Sequence, residues 1–128
     1  MFSYLKTLPY LCGMKDERKI RAYGDYFGDF INSISDGAKR KIFYAIDMLK
    51  TGQRVSSKFV KYLRDDIFEL RAEYNGNIYR VFFIFDDGNV VILFHGFQKK
   101  TQKTPKGELE RALTLKEEYY EQKRTGGR

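Results

Sequence analysis

Apolar residues recur at helical spacing in the first half of the chain. Over residues 26–34 they recur every three or four positions, which predicts a short helix that Asp25 can cap. A second helix follows, capped by Ser35 or Asp36 and ended by Gly52. Its apolar stripe consists of Ala38, Ile42, Ala45 and Leu49. The link between the two helices is short, which predicts a helical hairpin.

Apolar and polar residues alternate in the middle of the chain, which is the pattern of half-buried strands. The strands are predicted near Ile67–Tyr74, Ile78–Phe85 and Val90–Phe97. Asn75-Gly76 and Asp87-Gly88 between them are typical two-residue hairpin turns, so the strands form an antiparallel meander. One face of the meander is almost wholly apolar and should receive the helical hairpin. In the third strand this face takes Val90, Ile92, Phe94 and Gly96, and the other, mixed face takes Val91, Leu93, His95 and Phe97.

Two more elements complete a predicted α+β domain. Residues 19–23 predict a short edge strand. Thr104 as N-cap and Pro105 in the first turn begin a last helix that runs to about Gln122. The predicted architecture is an N-terminal strand and helical hairpin packed on a mostly antiparallel sheet, with a C-terminal helix. Because the helices cover one side, we expect the charges of the mixed face to line a cleft on the other.

The two turns predict which residues face each other across the sheet. Counting back from Asn75-Gly76 puts Arg71 opposite Arg80, and counting back from Asp87-Gly88 puts Arg80 opposite His95. The result is a cationic row on the mixed face of three strands. This inference depends on register, because a slip of one residue moves a side chain to the other face.

Like charges directly opposite each other destabilise a sheet, so the predicted row needs a neutralising group. A phosphate fits, because the arginine fork binds its oxygens in a bidentate way and can stabilise charge on a phosphorane. The alternative is that Glu69 and Glu73, on the same face, pair with Arg71 and Arg80. His95 next to Arg80 suits a general base, since its protonated form would be disfavoured there; otherwise it is a hydrogen-bonded residue at a strand end.

Two basic segments flank this row. Residues 98–106 follow Phe97 and contain four lysines and no acid, namely Lys99, Lys100, Lys103 and Lys106. The connector 53–65 carries a second basic strip of Lys58, Lys61 and Arg64. Lysines beside an aromatic ring suit RNA, although a solvated loop has the same composition. The charged positions of the last helix, Glu108 and Arg111 among them, indicate an ordinary solvated face.

Composition restricts the class of protein. The 128 residues suit one domain, and 11 Phe and 10 Tyr supply its core. A net charge of +7 favours anionic partners such as nucleic acid. One Cys and one His exclude an internal disulfide and a zinc site. No apolar run has transmembrane length, and we expect a cytoplasmic protein without a membrane partner.

The chain divides into three parts. Residues 1–17 are expected to be a disordered or non-native extension, in which residues 1–13 are poorly ordered or Met14 is the true start. Residues 18–123 form the domain, and residues 124–128 form a loose tail.

Three blocks in combination carry a resemblance to a known family. They are ELR, YR-x-FF and GFxKKTQKTP, within SKFVKYLRDDIFELRAEYNGNIYRVFFIF and VVILFHGFQKKTQKTPKGELERALTLKEEYYEQK. With the order of elements, they resemble the RelE/ParE superfamily of type II toxin–antitoxin toxins, and more closely its HigB-like, phage Gp49-related branch. The resemblance runs from about Arg18 to Lys123.

The resemblance implies a toxin that cuts mRNA on the ribosome without a metal or other cofactor. The 2′-hydroxyl attacks the adjacent phosphate, and a cognate antitoxin, a small helix-turn-helix protein, blocks the toxin. By the family pattern, Arg71 and Arg80 match residues that hold the scissile phosphate, and Lys99 and Lys100 match the basic segment after the last strand. The residue that moves the proton stays open between His95 and these two lysines. ParE-type toxins, which share the fold, inhibit DNA gyrase and are the alternative.

Overall fold

Five strands form one mixed sheet, and helices pack on both of its faces. The computed structural model describes residues 17–52, 55–99 and 104–126, with Lys99 described in its backbone alone. The elements are β1 (Lys19–Ala22), α1 (Tyr26–Asn32), α2 (Asp36–Thr51), β2 (Val60–Arg64), β3 (Ile67–Tyr74), β4 (Asn77–Asp86), β5 (Val90–Lys99) and α3 (Lys106–Arg124). The strand order is β1-β5-β4-β3-β2, with β1 parallel to β5 and all other pairs antiparallel. The predicted α+β class is confirmed.

The helical hairpin of α1 and α2 covers the apolar face of the sheet, as the alternation predicts. The four stripe residues of α2 are almost completely buried there. Ser35 caps α2, because its hydroxyl oxygen accepts the backbone N–H of Ala38 at 3.2 Å. Gly52 ends the helix and donates its backbone N–H to the carbonyl of Met48 at 2.8 Å.

Helix α3 covers the opposite face, where the sequence predicted an open cleft. Ala112 and Leu115 of α3 pack there on an apolar group made up of Ile67, Phe82, Ile84, Ile92 and Phe94. The prediction of a one-sided arrangement was wrong because half of the mixed face is apolar and needs its own cover. The charged half of that face lies next to the start of α3.

The C-terminal end of α3 is tied to the end of β4. Asp86 is 7% exposed, and its Oδ2 accepts hydrogen bonds from the Tyr119 hydroxyl and, at 2.7 Å, from the Lys123 ammonium. Burial opposes ionisation of Asp86, but these two donors outweigh it and lower the pKa of the carboxyl below its usual value. Burial and the same carboxylate raise the pKa of Tyr119 to about 12.

Strand β2 lies inside the segment that the sequence analysis treated as a basic connector. It pairs with β3 through a turn at Asp65 and Asp66, whose φ angles are 50° and 61°. Two successive positive φ angles make a hairpin turn that Asp tolerates better than most residues. The turn contains no Gly, and β2 is mostly exposed at the sheet edge. The sequence of β2 therefore lacks the alternation and turn signal that predict a strand.

The turn at Asn75-Gly76 has the predicted geometry. Asn75 and Gly76 have φ angles of 54° and 78°, and Tyr74 faces Asn77. As a result Arg71 lies directly opposite Arg80, and this half of the predicted row is confirmed.

The second turn is one residue longer than predicted. Asp86 pairs with Val90, so residues 87–89 form the loop. A second shift between Val81 and Phe83 then places Arg80 opposite Phe97. The prediction that Arg80 faces His95 was therefore wrong.

This longer loop also exchanges the faces of the first half of β5. Val91 and Leu93 point to the helical hairpin, whereas Ile92 and Phe94 point to α3, the reverse of the prediction. The later shift restores the predicted face at Gly96, which lies against the ring of Phe30.

We predict that Gly96→Ala destabilises the protein by about 1–3 kcal/mol, because the new methyl group would lie 2.5 Å from the Phe30 ring in a packed core. Gly28→Ala is the matched control: its methyl group meets nothing within 4 Å, and Ala favours the helix. Urea unfolding of both variants checks the prediction. Equal midpoints for the two would contradict the close packing of α1 on β5.

Candidate functional site

Arg80 is held in a buried ion pair. It is 1% exposed and Glu69 is 0% exposed, and the guanidinium Nη1 donates to Oε1 of that carboxylate. The hydroxyl of Thr104 donates to the other oxygen, Oε2, at 2.9 Å. Of the two arrangements that the sequence allowed for Arg80, pairing with Glu69 is the one found.

The same contact changes how α3 begins. Thr104 was predicted as the N-cap, but the cap residue is Pro105 and the helix starts at Lys106. The Thr104 hydroxyl bonds to the sheet instead. The segment before α3 is thus attached to the strand pair β3–β4 through Glu69.

His95 forms a second polar group on the α3 side of the sheet. Its ring is 2% exposed, lies 5.0 Å from the Phe82 ring between centroids, and has Nε2 2.9 Å from Oε1 of Glu108. Burial lowers the pKa of His95, the Arg111 charge lowers it further, and Glu108 opposes both without cancelling them. The imidazole is therefore neutral at neutral pH.

The contact with Glu108 determines the tautomer of this neutral ring. A carboxylate can only accept a hydrogen bond, so Nε2 of His95 carries the proton and Nδ1 keeps its lone pair. Within the described part of the chain, Nδ1 has no hydrogen-bond partner. The basic nitrogen of the ring is thus unengaged.

A groove of about 360 Å³, the His95 groove, lies beside this pair between α1 and α3. His95, Gln98, Asp29 and Arg111 contribute to its walls. The Arg111 guanidinium lies 5.4 Å from the centroid of the Tyr26 ring. The groove therefore places an exposed arginine next to a histidine–carboxylate pair.

Glu108 was wrongly assigned to a solvated helix face, whereas Arg111 is exposed as predicted but lines the His95 groove. A signal for their position was present in the sequence, because residues 108, 111, 112 and 115 share one helix face at i, i+3, i+4 and i+7 spacing. Two of these positions hold the apolar residues that pack on the sheet, Ala112 and Leu115. Glu108, one turn before Ala112, therefore also faces the sheet, and Arg111 lies at the border of the same face.

Arg71 lies apart from the His95 groove, although it is opposite Arg80. It is half-buried and lines a different groove of about 430 Å³, here called the α2–β3 groove. Lys58 lines the same groove together with Lys41 and Tyr44 of α2. The predicted continuous row of three cations is therefore divided among three separate environments.

The remaining predicted site residues are distributed along the sheet. Lys61 and Arg64 are exposed on β2, and Arg64 lies 3.3 Å from the Asp65 carboxylate. Phe97 is partly exposed and stacks on Phe82 at 5.5 Å between ring centroids. The backbone of Lys99 ends β5, while its side chain, Lys100 and Lys103 lie outside the described residues.

Two features are absent from the described ranges. No helix there is long and apolar enough to span a bilayer. In the same ranges, no three His, Cys, Asp or Glu side chains are grouped closely enough to hold a metal ion.

We predict that Arg80→Ala lowers the free energy of unfolding by about 3–5 kcal/mol, because Glu69 would remain as an uncompensated buried charge. The double variant Glu69→Met/Arg80→Met should lose less than either single variant. Arg71→Ala, on the residue directly opposite, is the control and should cost less than about 1 kcal/mol. Denaturant unfolding of the wild type, Arg80→Ala, Glu69→Met, Arg80→Met, the double variant and Arg71→Ala measures these losses. Equal losses from the two arginine substitutions would contradict the buried pair.

We predict that stability falls as the pH drops from 7.5 to 5.5. The folded pKa of His95 lies below the unfolded value of about 6.5, so the unfolded chain binds the proton first. The free energy of unfolding is unaffected by the protonation of His95 above pH 6.5. It falls as the pH drops from 6.5 toward the folded pKa, because only the unfolded chain takes up the proton in that range. Urea unfolding at three pH values should give a flatter profile for His95→Gln, and identical profiles would rule out a neutral buried ring.

Comparisons with known proteins identify the family of the chain. Its sequence matches the family described as phage-derived, Gp49-like protein over residues 29–117. A chain in the crystal structure of the archaeal RelE–RelB complex from Pyrococcus horikoshii OT3 is similar, with a TM-score of 0.48 and 15% identity, over 69% of this chain and 99% of that one. No curated protein matches the sequence. The family match covers well over half of the residues, so the chain belongs to the Gp49-like family of phage-derived proteins.

Proposed function

We propose that the protein is the toxin of a type II toxin–antitoxin system and that it acts as a ribosome-dependent mRNA endoribonuclease. The observation that carries the proposal is the His95–Glu108 pair, whose His95 ring lines the His95 groove together with Arg111. A histidine with a perturbed pKa, its carboxylate partner and a neighbouring cation are groups that phosphodiester cleavage can use. The net charge of +7 and the resemblance to RelE/ParE toxins support the same conclusion.

The proposed reaction uses a nucleophile within the substrate. The 2′-hydroxyl loses its proton, its oxygen bonds to the adjacent phosphorus, and the bond from phosphorus to the 5′-oxygen breaks. The leaving oxygen takes a proton, so the products are a 2′,3′-cyclic phosphate and a 5′-hydroxyl end. This chemistry needs proton transfer and charge stabilisation, and no metal or other cofactor enters the proposal.

We assign the proton transfer to the His95–Glu108 pair. The Glu108 side chain is 34% exposed and is the member that substrate can reach, while the neutral ring orients it through Nε2. Lys99 and Lys100 remain the alternative carriers of the proton. Arg111, exposed next to the pair, would face the phosphate as negative charge develops on it.

Arg80 receives a different part in this proposal from the one expected from sequence. Its charge is already neutralised by Glu69, so it holds the start of α3 in place rather than binding phosphate. Arg71 is more exposed and is the better phosphate ligand of the two. The other residues proposed to hold RNA are Lys58, Lys61, Arg64, Phe97, Lys99, Lys100 and Lys103.

The proposed partner is a cognate antitoxin, a small helix-turn-helix protein with an acidic contact surface. Such a surface complements the positive charge of this chain and would compete with RNA. The proposed setting is the cytoplasm, where mRNA is translated, and residues 18–123 are the proposed toxin domain.

We predict that brief induced expression produces in-frame cuts in translated messages, detected by mapping mRNA 5′ ends. Glu108→Gln should reduce cutting about 100-fold or more, because the proton-transfer pair is lost. Arg111→Ala should also reduce it. Glu110→Gln, an exposed substitution of the same type on the same helix, is the control and should cut like the wild type.

Two results would overturn this assignment. Full cleavage by Glu108→Gln would remove the pair from the site. Growth arrest with intact messages would reject the nuclease itself and direct attention to DNA gyrase.

A further inference from the structure

The α2–β3 groove lies where β3 extends beyond its neighbour β2. The first residue pair of the two strands is Val60 with Leu70, and the Arg71 N–H donates to the Phe59 carbonyl at 2.8 Å. Residues 72–74 follow beyond the end of β2. Helix α2 forms the other wall, and the groove of about 430 Å³ is within the size range of ligand pockets.

Three cationic residues line this groove. They are Lys41 from α2, Lys58 from the segment before β2, and Arg71 from β3. Glu73 lines the groove as well, but across the described ranges no acid lies within 4 Å of any of the three charged groups. Charges of one sign around a concave site concentrate an anion there.

An exposed aromatic platform lies beside these cations. Tyr44 is 56% exposed, and its ring centroid lies 6.0 Å from that of Phe59. The Lys58 ammonium lies 5.8 Å from the Phe59 ring centroid. Aromatic rings next to cations are how proteins stack unpaired bases while holding their phosphates.

We propose that the α2–β3 groove binds a nucleotide of single-stranded RNA, with its phosphate among Lys41, Lys58 and Arg71 and its base stacked on Tyr44. A base within a duplex has both faces covered by its neighbours, so the groove selects unpaired RNA. The inference rests on the proposed function and adds a subsite to it. Since β3 and β5 are separated by β4, they lie roughly 10 Å apart, and one RNA strand can reach this groove and the His95 groove together.

An acidic polypeptide would satisfy the three cations equally well. It would leave the exposed Tyr44 ring without a role, whereas a nucleotide uses both the charges and the ring. The two ligands therefore differ in how strongly their binding depends on the Tyr44 ring.

The test measures fluorescence anisotropy of a labelled single-stranded 2′-O-methyl RNA, which lacks the nucleophile and cannot be cleaved, and of the same RNA in a duplex. Tyr44→Ala should weaken binding of the single strand about 5- to 100-fold, and Tyr44→Phe should retain it. Tyr62→Ala removes an equally exposed ring, 53% against 56%, from β2 and is the control. Unfolding midpoints confirm that each variant is folded.

The charge contribution is tested by salt dependence. Lys41→Ala should reduce the slope of log K against log salt by about 0.7, the value for one phosphate contact on a single strand. Arg40→Ala, an exposed cation one residue away, should leave the slope unchanged.

Three results would overturn the proposal. They are wild-type affinity in Tyr44→Ala, equal affinity for duplex and single strand, and tighter binding of poly-glutamate than of RNA with no dependence on Tyr44. The mapping of mRNA ends separates this proposal from the nuclease. RNA binding that depends on Tyr44 without cleavage leaves the subsite standing alone, and cleavage with no effect of Tyr44 on binding leaves the nuclease standing alone.

Discussion

The buried ion pair between Glu69 and Arg80 is the interaction on which the polar half of the sheet depends. A guanidinium removed from water must keep a counter-charge, since an unpaired buried ion costs several kcal/mol. Glu69 supplies that charge and also accepts a hydrogen bond from the hydroxyl of Thr104, so a single carboxylate connects β3, β4 and the segment before α3. The position of α3 then brings Glu108 to His95. The geometry of the His95 groove therefore depends on the Glu69–Arg80 ion pair, although neither residue lines the groove.

Short-range signals were sufficient for the elements whose ends are set by local chemistry. The Ser35 cap, the Gly52 stop and the Asn75-Gly76 turn act within a few residues, and all three are as predicted. The predicted length of the Asp87-Gly88 turn was wrong, although its residues have the expected positive φ angles of 53° and 72°. The number of residues in that loop depends on how β5 fits between β1 and β4, and this long-range fit has no local pattern.

The parts of the candidate site whose geometry is fixed by one hairpin turn were predictable from the sequence. The parts that depend on how α3 packs on the sheet were not. Arg71 opposite Arg80 followed from one hairpin. The roles of Glu108 and Arg111 depend on which face of the sheet α3 covers. The alternation of apolar and polar residues within the strands does not indicate that face. The helical spacing of Glu108 and Arg111 from Ala112 and Leu115 indicates which side of α3 packs on the sheet. The many charged residues of α3 favoured a solvated helix instead.

The three-residue loop at 87–89 has a genetic consequence. Loss of one codon there would turn Val91 and Leu93 toward α3 and Ile92 and Phe94 toward the helical hairpin, because successive residues of a strand face opposite sides. Surface loops usually tolerate changes of length. Here a change of loop length would also change which β5 residues pack in each core. The register shift between Val81 and Phe83 offers a second place where a codon can be gained or lost. A one-residue change in the loop that is compensated by a one-residue change at the shift would therefore leave the polar end of β5 in its orientation.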